Sequence, residues 1–381
     1  MTTNAVVLGC GLVGATMARD LAADAVFEVT AADIDTENLH KLGANTGIKT
    51  IQADLSDPDH IRGLIADCDI VVGGLPSRIG FQTLRTVIEA GKPYCDITFM
   101  SDDAMELDEL AKKHDVTAVV DCGVSPGLSN LFIGYVHGVL DRTDRAVIYV
   151  GGLPKVRHWP YHYKAPFAPS DVIEEYTRPA RLVENGSIVI KSALSEPELL
   201  DFPRAGTLEA FNTDGLRSLL KTVDIPDMKE KTLRYPGHCE LMRVLRETGF
   251  FDKEEIDIRG TKVRPLDVTS KLLFPKWTRE LGEEEYTILR VIIEGSKDNR
   301  RVRYTYDLYD EYDSVNDVSS MARTTGFPNV IMARMIASRQ FDESGVFPPE
   351  LLARKSGLFE QMIAELAGRG VSIEERVEQI V

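Results

Sequence analysis

Three glycines carry the first chemical signal in this chain. In AVVLGCGLVGATMARDL, residues 5–21, they stand at Gly9, Gly11 and Gly14. The spacing follows an apolar run that reads as a strand and opens a stretch of helical character. Asp33 lies 19 residues after Gly14, at the end of the next strand-like run, FEVTAADID. This is the pattern of a dinucleotide loop, and each glycine serves it mechanically. Gly9 allows a tight turn, Gly11 leaves room for a pyrophosphate, and Gly14 lets helix pack closely on strand. The helix start, from Leu12 and Val13 onward, offers free amides and a partial positive charge to the phosphates. Asp33 would accept hydrogen bonds from the ribose hydroxyls and repel a 2′-phosphate. Ile34 and Asp35 follow it, with no Arg or Lys nearby, so the expected cofactor is NAD. Asp54 and Leu55, at the next strand end, are expected at the adenine edge. Gly74, Leu75 and Pro76, in GGLP after a later strand, are expected on the nicotinamide side.

The substrate side is less sharply marked. PYCDITF and VVDCGVSPGLSN end the last strands of the same region, on the rim where a nicotinamide should arrive; they offer Asp96, Thr98 and Asp121, with Ser125 expected at the cofactor. Asp96 and Asp121 are candidates for proton transfer, against a competing reading as turn or capping residues. Further along stand Tyr163, then Asn212, Thr213, Asp214 and Arg217 in AFNTDGLRSLL, then Arg234 and His238 in TLRYPGH. An Arg beside a helix start makes a carboxylate clamp, so Arg217 or Arg234 is expected to hold a substrate carboxylate. Asp214 is a candidate partner for an ammonium group. His238 is a third candidate for the proton, against a structural role before a helix.

These residues need a scaffold, and the first 125 residues supply its pattern. Short Val- and Ile-rich runs alternate with helical stretches, which implies a doubly wound parallel sheet of α/β type, buried on both faces. After Gly123 the rhythm changes. TILRVIIEGS and RRVRYTYDLYDEYD show β-branched and aromatic alternation, expected of a second, α+β domain with a mixed sheet. From Ser314 the pattern is helical again.

Composition limits the function classes. Of 381 residues, 43% are hydrophobic and 27% charged, and the formal net charge is −16. That balance argues against nucleic acid as a partner. No apolar run is long enough to span a bilayer, and no signal peptide is expected. The five cysteines form no CxxC and no metal-ligand spacing, so no metal site is expected and reduced thiols in a cytoplasmic setting are.

GCGLVG, GGLPSRIGF, DITFMSDDAMEL, DCGVSPGLSN, YVGGLPK, VIEEYTRPARLV, AFNTDGLRSLL, TLRYPGH, LRETGFF, SSMARTTGF and GVFPPELL together resemble the saccharopine dehydrogenase-like family, and within it the lysine 6-dehydrogenases. The resemblance implies a dinucleotide-binding domain over 1–125, a substrate and dimerisation domain over 126–313, and a C-terminal segment, 314–381, that completes the first. It implies a homodimer or larger homo-oligomer and a small amino-acid substrate. The implied reaction is NAD-dependent oxidation of the ε-carbon of L-lysine to allysine, with cyclisation and release of ammonia. Two alternatives stay open: a saccharopine dehydrogenase or reductase acting on a secondary amine, and a non-catalytic NAD(H)-binding protein.

Overall fold

The computed structural model describes residues 2–44, 46–280 and 282–380. The chain divides into two compact units. Unit 1 is Met1–Val139 with Met321–Ser372, and unit 2 is Leu140–Ser320 with Ile373–Val381.

Unit 1 begins with β1 (Thr3–Leu8), α1 (Leu12–Ala22), β2 (Phe27–Asp33), α2 (Thr36–Gly43) and β3 (Lys49–Gln52). It continues through α3 (Pro58–Ile65), β4 (Ile70–Gly73), α4 (Ser77–Glu89) and β5 (Tyr94–Asp96). α5 (Asp108–Lys113), β6 (Thr117–Val119) and α6 (Leu128–Val139) complete its first passage. Local chemistry sets the helix starts. Asp35 caps α2 through the Glu37 amide at 2.8 Å, and Asp57 caps α3, whose first residue is Pro58. β4 and β6 are buried at every position. That continuous burial is what helices on both faces demand.

Unit 2 contains β7 (Arg142–Pro154), α7 (Pro169–Thr177), β8 (Ala180–Glu184), β9 (Ser187–Lys191), β10 (Glu198–Phe202) and β11 (Gly206–Asn212). Then come α8 (Leu219–Thr222), β12 (Asp227–Arg234), α9 (His238–Glu247), the hairpin β13 (Ile256–Ile258) and β14 (Thr261–Val263), and α10 (Pro265–Trp277). The long strands β15 (Glu285–Lys297) and β16 (Arg300–Glu311) follow. The remaining elements are α11 (Ser320–Ala337), β17 (Gly345–Phe347), α12 (Pro349–Leu352), α13 (Leu358–Gly368) and β18 (Ile373–Gln379).

The unit 1 sheet is parallel throughout, in the order β17-β6-β5-β4-β1-β2-β3. One face packs on α3 and α4 through Leu8, Ile65, Val71, Leu84, Val87 and Tyr94. On the other, α11 meets α1 where Gly326 replaces a side chain: a Cβ there would stand 3.0 Å from Met17. Asn329 of α11 stitches the strands from this side, its Nδ2 donating to the Cys95 and Gly73 carbonyls at 3.3 and 3.4 Å. Unit 2 holds a mixed sheet along β10-β11-β12-β7-β15-β16-β18, with β8 and β9 branching from β12. There β12 runs parallel to β7 and β15 antiparallel to it. Helices α7, α9 and α10 cover part of it around Val172, Tyr176, Phe211, Met242 and Trp277.

The observed divisions differ from the expected 125/126 and 313/314. α6 belongs to unit 1 because its buried face, Leu128 through Gly134, has its partner in α12 of the same unit. The C-terminal segment is split: β17 extends the first sheet beside β6, whereas β18 pairs with β16 in the second. An alternation of charged residues in IEERVEQ hid that last strand among helices.

The α6 packing is tight enough to test. A Cβ on Gly134 would lie 2.3 Å from the Glu350 carbonyl oxygen and 2.6 Å from its Cα, atoms that cannot rotate away. Gly134→Ala is expected to cost about 1–3 kcal/mol, read as a lower midpoint in denaturant unfolding. An unchanged midpoint would contradict this packing.

Candidate functional site

The glycine loop has the three properties its spacing requires. Gly9 adopts φ +91°, and a Cβ on it would meet the Gly74 carbonyl oxygen at 2.5 Å. Gly14 lets α1 close on β1, since its Cβ would fall 1.9 Å from the Gly9 carbonyl oxygen. Gly11 is different: a Cβ there would have nothing within 4 Å. Packing does not demand that glycine, so the space above it is the part a ligand would use. Gly11 is also the N-cap of α1 and gives no side-chain cap, and the first turn holds no acid. The first-turn amides around Leu12, Val13 and Gly14 therefore present an uncompensated positive end. Leu12 is half exposed and Val13 lies against Gly326.

Asp33 ends β2 beside this loop. Its Oδ2 accepts the Cys10 amide at 2.6 Å and its Oδ1 the Asp35 amide at 2.8 Å. The carboxylate thus fixes the glycine loop itself and keeps lone pairs for a diol. Ile34 beside it is 63% exposed. Asp54 is exposed, and its carboxylate accepts the Ser56 hydroxyl at 2.6 Å and amide at 2.9 Å, which lower its pKa. Leu55 and Leu75 are buried in the sheet–helix core, so what they offer is shape. Gly74 donates its amide to the Leu8 carbonyl at 2.9 Å, and Pro76 occupies the N-cap position of α4 without a side-chain cap. The residues present fit a dinucleotide.

At the far strand ends stand the acids. Asp96 is fully buried. Its Oδ1 accepts the Thr98 hydroxyl at 2.7 Å and amide at 3.1 Å. Burial raises its pKa to about 6 against those Thr98 bonds, and Asp121 adds to the rise. Asp121 is buried with φ +52°, an uncommon backbone state for a non-glycine residue. Ser125 accepts a hydrogen bond from Ser129 at 3.0 Å. Two further residues of the quoted stretches belong here, Tyr94 of PYCDITF and Gly73 of GGLP. Tyr94 is buried with its hydroxyl against the Asp96 carboxyl, and Gly73 leaves the space that the two fill: a Cβ on it would sit 2.0 Å from the Tyr94 oxygen.

In unit 2, β12 and α9 bring Arg234 and His238 together with Tyr163. Arg234 is buried and its donors are engaged. It meets Glu175 at 2.7 Å, Tyr176 at 3.2 Å, Tyr163 at 3.3 Å and its neighbour's carbonyl at 2.9 Å. Its guanidinium also lies 4.5 Å over the Tyr163 ring. Burial pushes the Glu175 carboxyl up and Arg234 pulls it back only in part. His238 has both nitrogens occupied, Nδ1 by the Tyr161 carbonyl and Nε2 by the Tyr176 hydroxyl, each at 2.9 Å. Burial, then the charge of Arg234, lower its pKa to about 3. A histidine so placed holds the aromatic cluster together and stays neutral near pH 7, the structural role that competed with proton acceptance.

The loop after β11 carries the remaining candidates. Asn212 donates to Ser195 at 3.1 Å. Asp214 forms a two-pronged pair with Arg181 at 2.9 and 2.8 Å, so an ammonium would find this carboxylate already neutralised. Arg217 is buried at φ +53°. The loop is buttressed by Glu230, a residue with no motif around it. Thr213 donates to its Oε2 at 2.5 Å, and Gly215 has no side chain where the Glu230 carboxyl would otherwise clash at 2.4 Å. Burial raises the Glu230 pKa to about 8 despite the Thr213 bond, and Glu175 and Asp214 add to the rise. Among the described residues, no group of three or more His, Cys, Asp or Glu could hold a metal, and no helix is long and apolar enough to cross a membrane.

Comparison with known proteins follows this division of labour. A family model described as the saccharopine dehydrogenase NADP binding domain matches residues 5–119, and one described as the saccharopine dehydrogenase C-terminal domain matches 123–371. A saccharopine dehydrogenase [NADP(+), L-glutamate-forming] of Pyricularia oryzae is 23% identical over 317 residues, covering 79% of this chain and 70% of the relative. The Schizosaccharomyces pombe protein of the same name is 22% identical, covering 86% and 88%. The apo structure of the Saccharomyces cerevisiae saccharopine dehydrogenase (L-Glu forming) superposes with a TM-score of 0.79 at 19% identity, over 99% of this chain and all of that one. At that identity the likeness shows the fold.

Two substitutions separate structural from ligand-directed roles. Gly14→Ala is expected to lower the melting temperature and abolish dinucleotide binding, whereas Gly11→Ala leaves melting unchanged and weakens binding at least about tenfold. Equal effects on both properties would contradict the cradle. Glu230 gives a pH signature. Its folded pKa lies above the ordinary carboxyl value, so the stability it contributes is complete at low pH and is lost as pH rises toward about 8. Glu230→Gln is expected to flatten the fall in melting temperature between about pH 5 and 8. An identical slope in both proteins would place the titration elsewhere.

Proposed function

The chain belongs to the saccharopine dehydrogenase family, and on that premise we propose that it is a nicotinamide-dinucleotide-dependent oxidoreductase cleaving the carbon–nitrogen bond of a saccharopine-type secondary amine. When bound, the nicotinamide supplies the hydride acceptor for the carbon that bears the nitrogen. The nitrogen loses its proton, and water hydrolyses the imine to an amino acid and an aldehyde. The observation that carries the redox reading is the glycine at 11 beside Asp33, which stands where internal packing leaves open room for a side chain. The substrate class is supported by the names of the fungal relatives, both L-glutamate-forming dehydrogenases.

Within this reading the residues divide their work. The loop Gly9–Gly14 holds the pyrophosphate, and Asp33 the adenosine ribose. Asp33 supports NAD, because a fixed carboxylate repels a 2′-phosphate. The family's binding domain and the fungal relatives are named for NADP, and Asp33 is the residue on which this chain's preference turns. The 213–217 loop, with Arg217, is assigned to a substrate carboxylate. Arg234 shapes this region through Tyr163 and Glu175.

One feature of unit 2 favours a second reading, oxidative deamination at the ε-carbon of lysine. A saccharopine-type substrate brings several carboxylates, and each needs a cation or donor set. Arg234 is already neutralised by Glu175 and Arg181 by Asp214. A substrate with one carboxylate makes the smaller demand.

The deciding experiment incubates the full chain with NAD+ or NADP+ and with saccharopine, L-lysine or other diamines, following reduced coenzyme and products together. Saccharopine turnover with stoichiometric glutamate is expected. Lysine turnover with ammonia and a trapped aldehyde would establish the second reading, and no coenzyme reduction with any of them would overturn both.

A further inference from the structure

The β8–β9 hairpin ends in an open sheet edge. Its two-residue turn, Asn185–Gly186, has φ of 50° and 74°, the positive pair that closes a tight hairpin in register. The turn is tied down on both sides. The Gly186 amide donates to the Pro226 carbonyl at 2.8 Å, and the Asn185 amide to Asp227 Oδ1 at 3.2 Å. The ladder then runs Glu184 with Ser187, Val183 with Ile188, Leu182 with Val189, Arg181 with Ile190 and Ala180 with Lys191. In an antiparallel ladder closed by such a turn, alternate residues direct their amides and carbonyls at the partner strand. Ser187, Val189 and Lys191 face β8 in this way. The backbone groups of Ile188 and Ile190 therefore point outward, and among the described residues β9 pairs with no strand but β8.

Open edges invite pairing with another chain, and proteins blunt them with charges, proline or bulges. The continuation of this rim is blunted. β8 and β11 share the side of β12 opposite β7, so β9 and β10 follow one another along the outside. Between them the backbone turns at Leu194 and Glu196, φ 62° and 50°, and β10 carries Glu198 and Asp201. β9 has Lys191 alone, at its end. Its two outward-bonding residues are isoleucines, 57% and 71% exposed. Standing two apart, they put their side chains on one face. Free backbone bonds beside exposed apolar side chains are what strand addition uses.

We propose that this edge pairs with β9 of a second copy of the chain, antiparallel about a two-fold axis at Val189. Ile188 then meets the partner's Ile190, and Ile190 the partner's Ile188, each pair exchanging both of its backbone bonds. The isoleucines of the two copies gather on one face. The charges select this direction. A parallel pairing would set Lys191 beside its own copy. The antiparallel one sends the two lysines to opposite ends, each against the partner's Ser187 and next in row to the partner's Glu184. No uncompensated charge enters the seam. Lys191 bonds Glu184 at 2.6 Å and also Glu196, and Lys229 meets the same two carboxylates at 3.1 and 2.9 Å. Arg181, in register with Ile190, is held by Asp214. A two-fold pairing also consumes both open edges, so it closes as a dimer and leaves none to extend into a fibre.

The test is the mass of the full chain in solution, by sedimentation velocity across micromolar concentrations. Twice the chain mass is expected. Ile190→Lys places a charge in the seam without touching the β8–β9 bonds. It is expected to raise the dissociation constant at least about a hundredfold with an unchanged circular dichroism spectrum, whereas Ile190→Val keeps the dimer. Val189→Cys reads the register. The axis brings Val189 against its own copy as a non-bonded pair, with about 4.5 Å between Cα atoms, within reach of a disulfide. The five native cysteines are free and buried. Mild oxidation is therefore expected to give a reducible covalent dimer from Val189→Cys, and none from Ser187→Cys or the unaltered chain. A single-chain mass at every concentration would overturn the proposal. So would a dimer that Ile190→Lys leaves intact, or one that Val189→Cys does not lock. A chain that stays single and instead takes up an added Val- and Ile-rich peptide at β9 would make a foreign strand the occupant, and would overturn it as well.

Discussion

The Asp33 carboxylate makes the interaction on which the rest of unit 1 depends. One oxygen holds the Cys10 amide at 2.6 Å and the other the Asp35 amide at 2.8 Å. The first bond ties the end of β2 to the middle of the glycine loop. With Gly14 seated against the Gly9 carbonyl, it leaves the loop one shape and the start of α1 one direction. A negative group and a row of free amides are thereby fixed side by side. Charge-assisted bonds of this kind are among the stronger ones in proteins, so the cradle is organised before any ligand arrives and little ordering is left for binding to bear.

Unit 2 follows a different principle. Its polar residues are buried in networks: Arg234 with Glu175 and two phenols, Asp214 with Arg181, Glu230 with Thr213. Buried charges survive only when paired or neutralised. The two solutions appear together here, since Arg234 is paired whereas Glu230 sits where burial and two neighbouring acids favour its proton. The result is a rigid, nearly charge-balanced framework around the 213–217 loop.

The first unit was legible in the sequence because its function is a backbone geometry. GxGxxG, a strand before it, a helix after it and an acid at the next strand end are constraints on main-chain shape, and spacing reports main-chain shape directly. The second unit was legible only as a class of sheet. Whether His238 is a base or a brace depends on what faces its two nitrogens, and Tyr161 and Tyr176 stand 77 and 62 residues away along the chain. Arg234 reads as a clamp until Glu175, on a different element, is seen to hold it. Glu230 carries no motif at all. It lies in a strand where a charged residue suggests a solvent-facing position, and only the fold, which sets it beside β7 and under the 213–215 loop, shows it buried. β18 failed for the same reason, since charges along IEERVEQ mask a strand whose partner is distant.

In the proposed reading, selection of the adenosine ribose rests on one carboxylate, Asp33, fixed to the glycine loop. Equilibrium titration of the full chain with NAD+ and with NADP+, beside Asp33→Asn, measures it most directly. One binding event per chain is expected, with NAD+ held at least about tenfold more tightly than NADP+. That preference is expected to shrink when the negative charge is removed while the loop bond to Cys10 is kept. A chain that binds neither coenzyme, or prefers NADP+ with Asp33 intact, would contradict it.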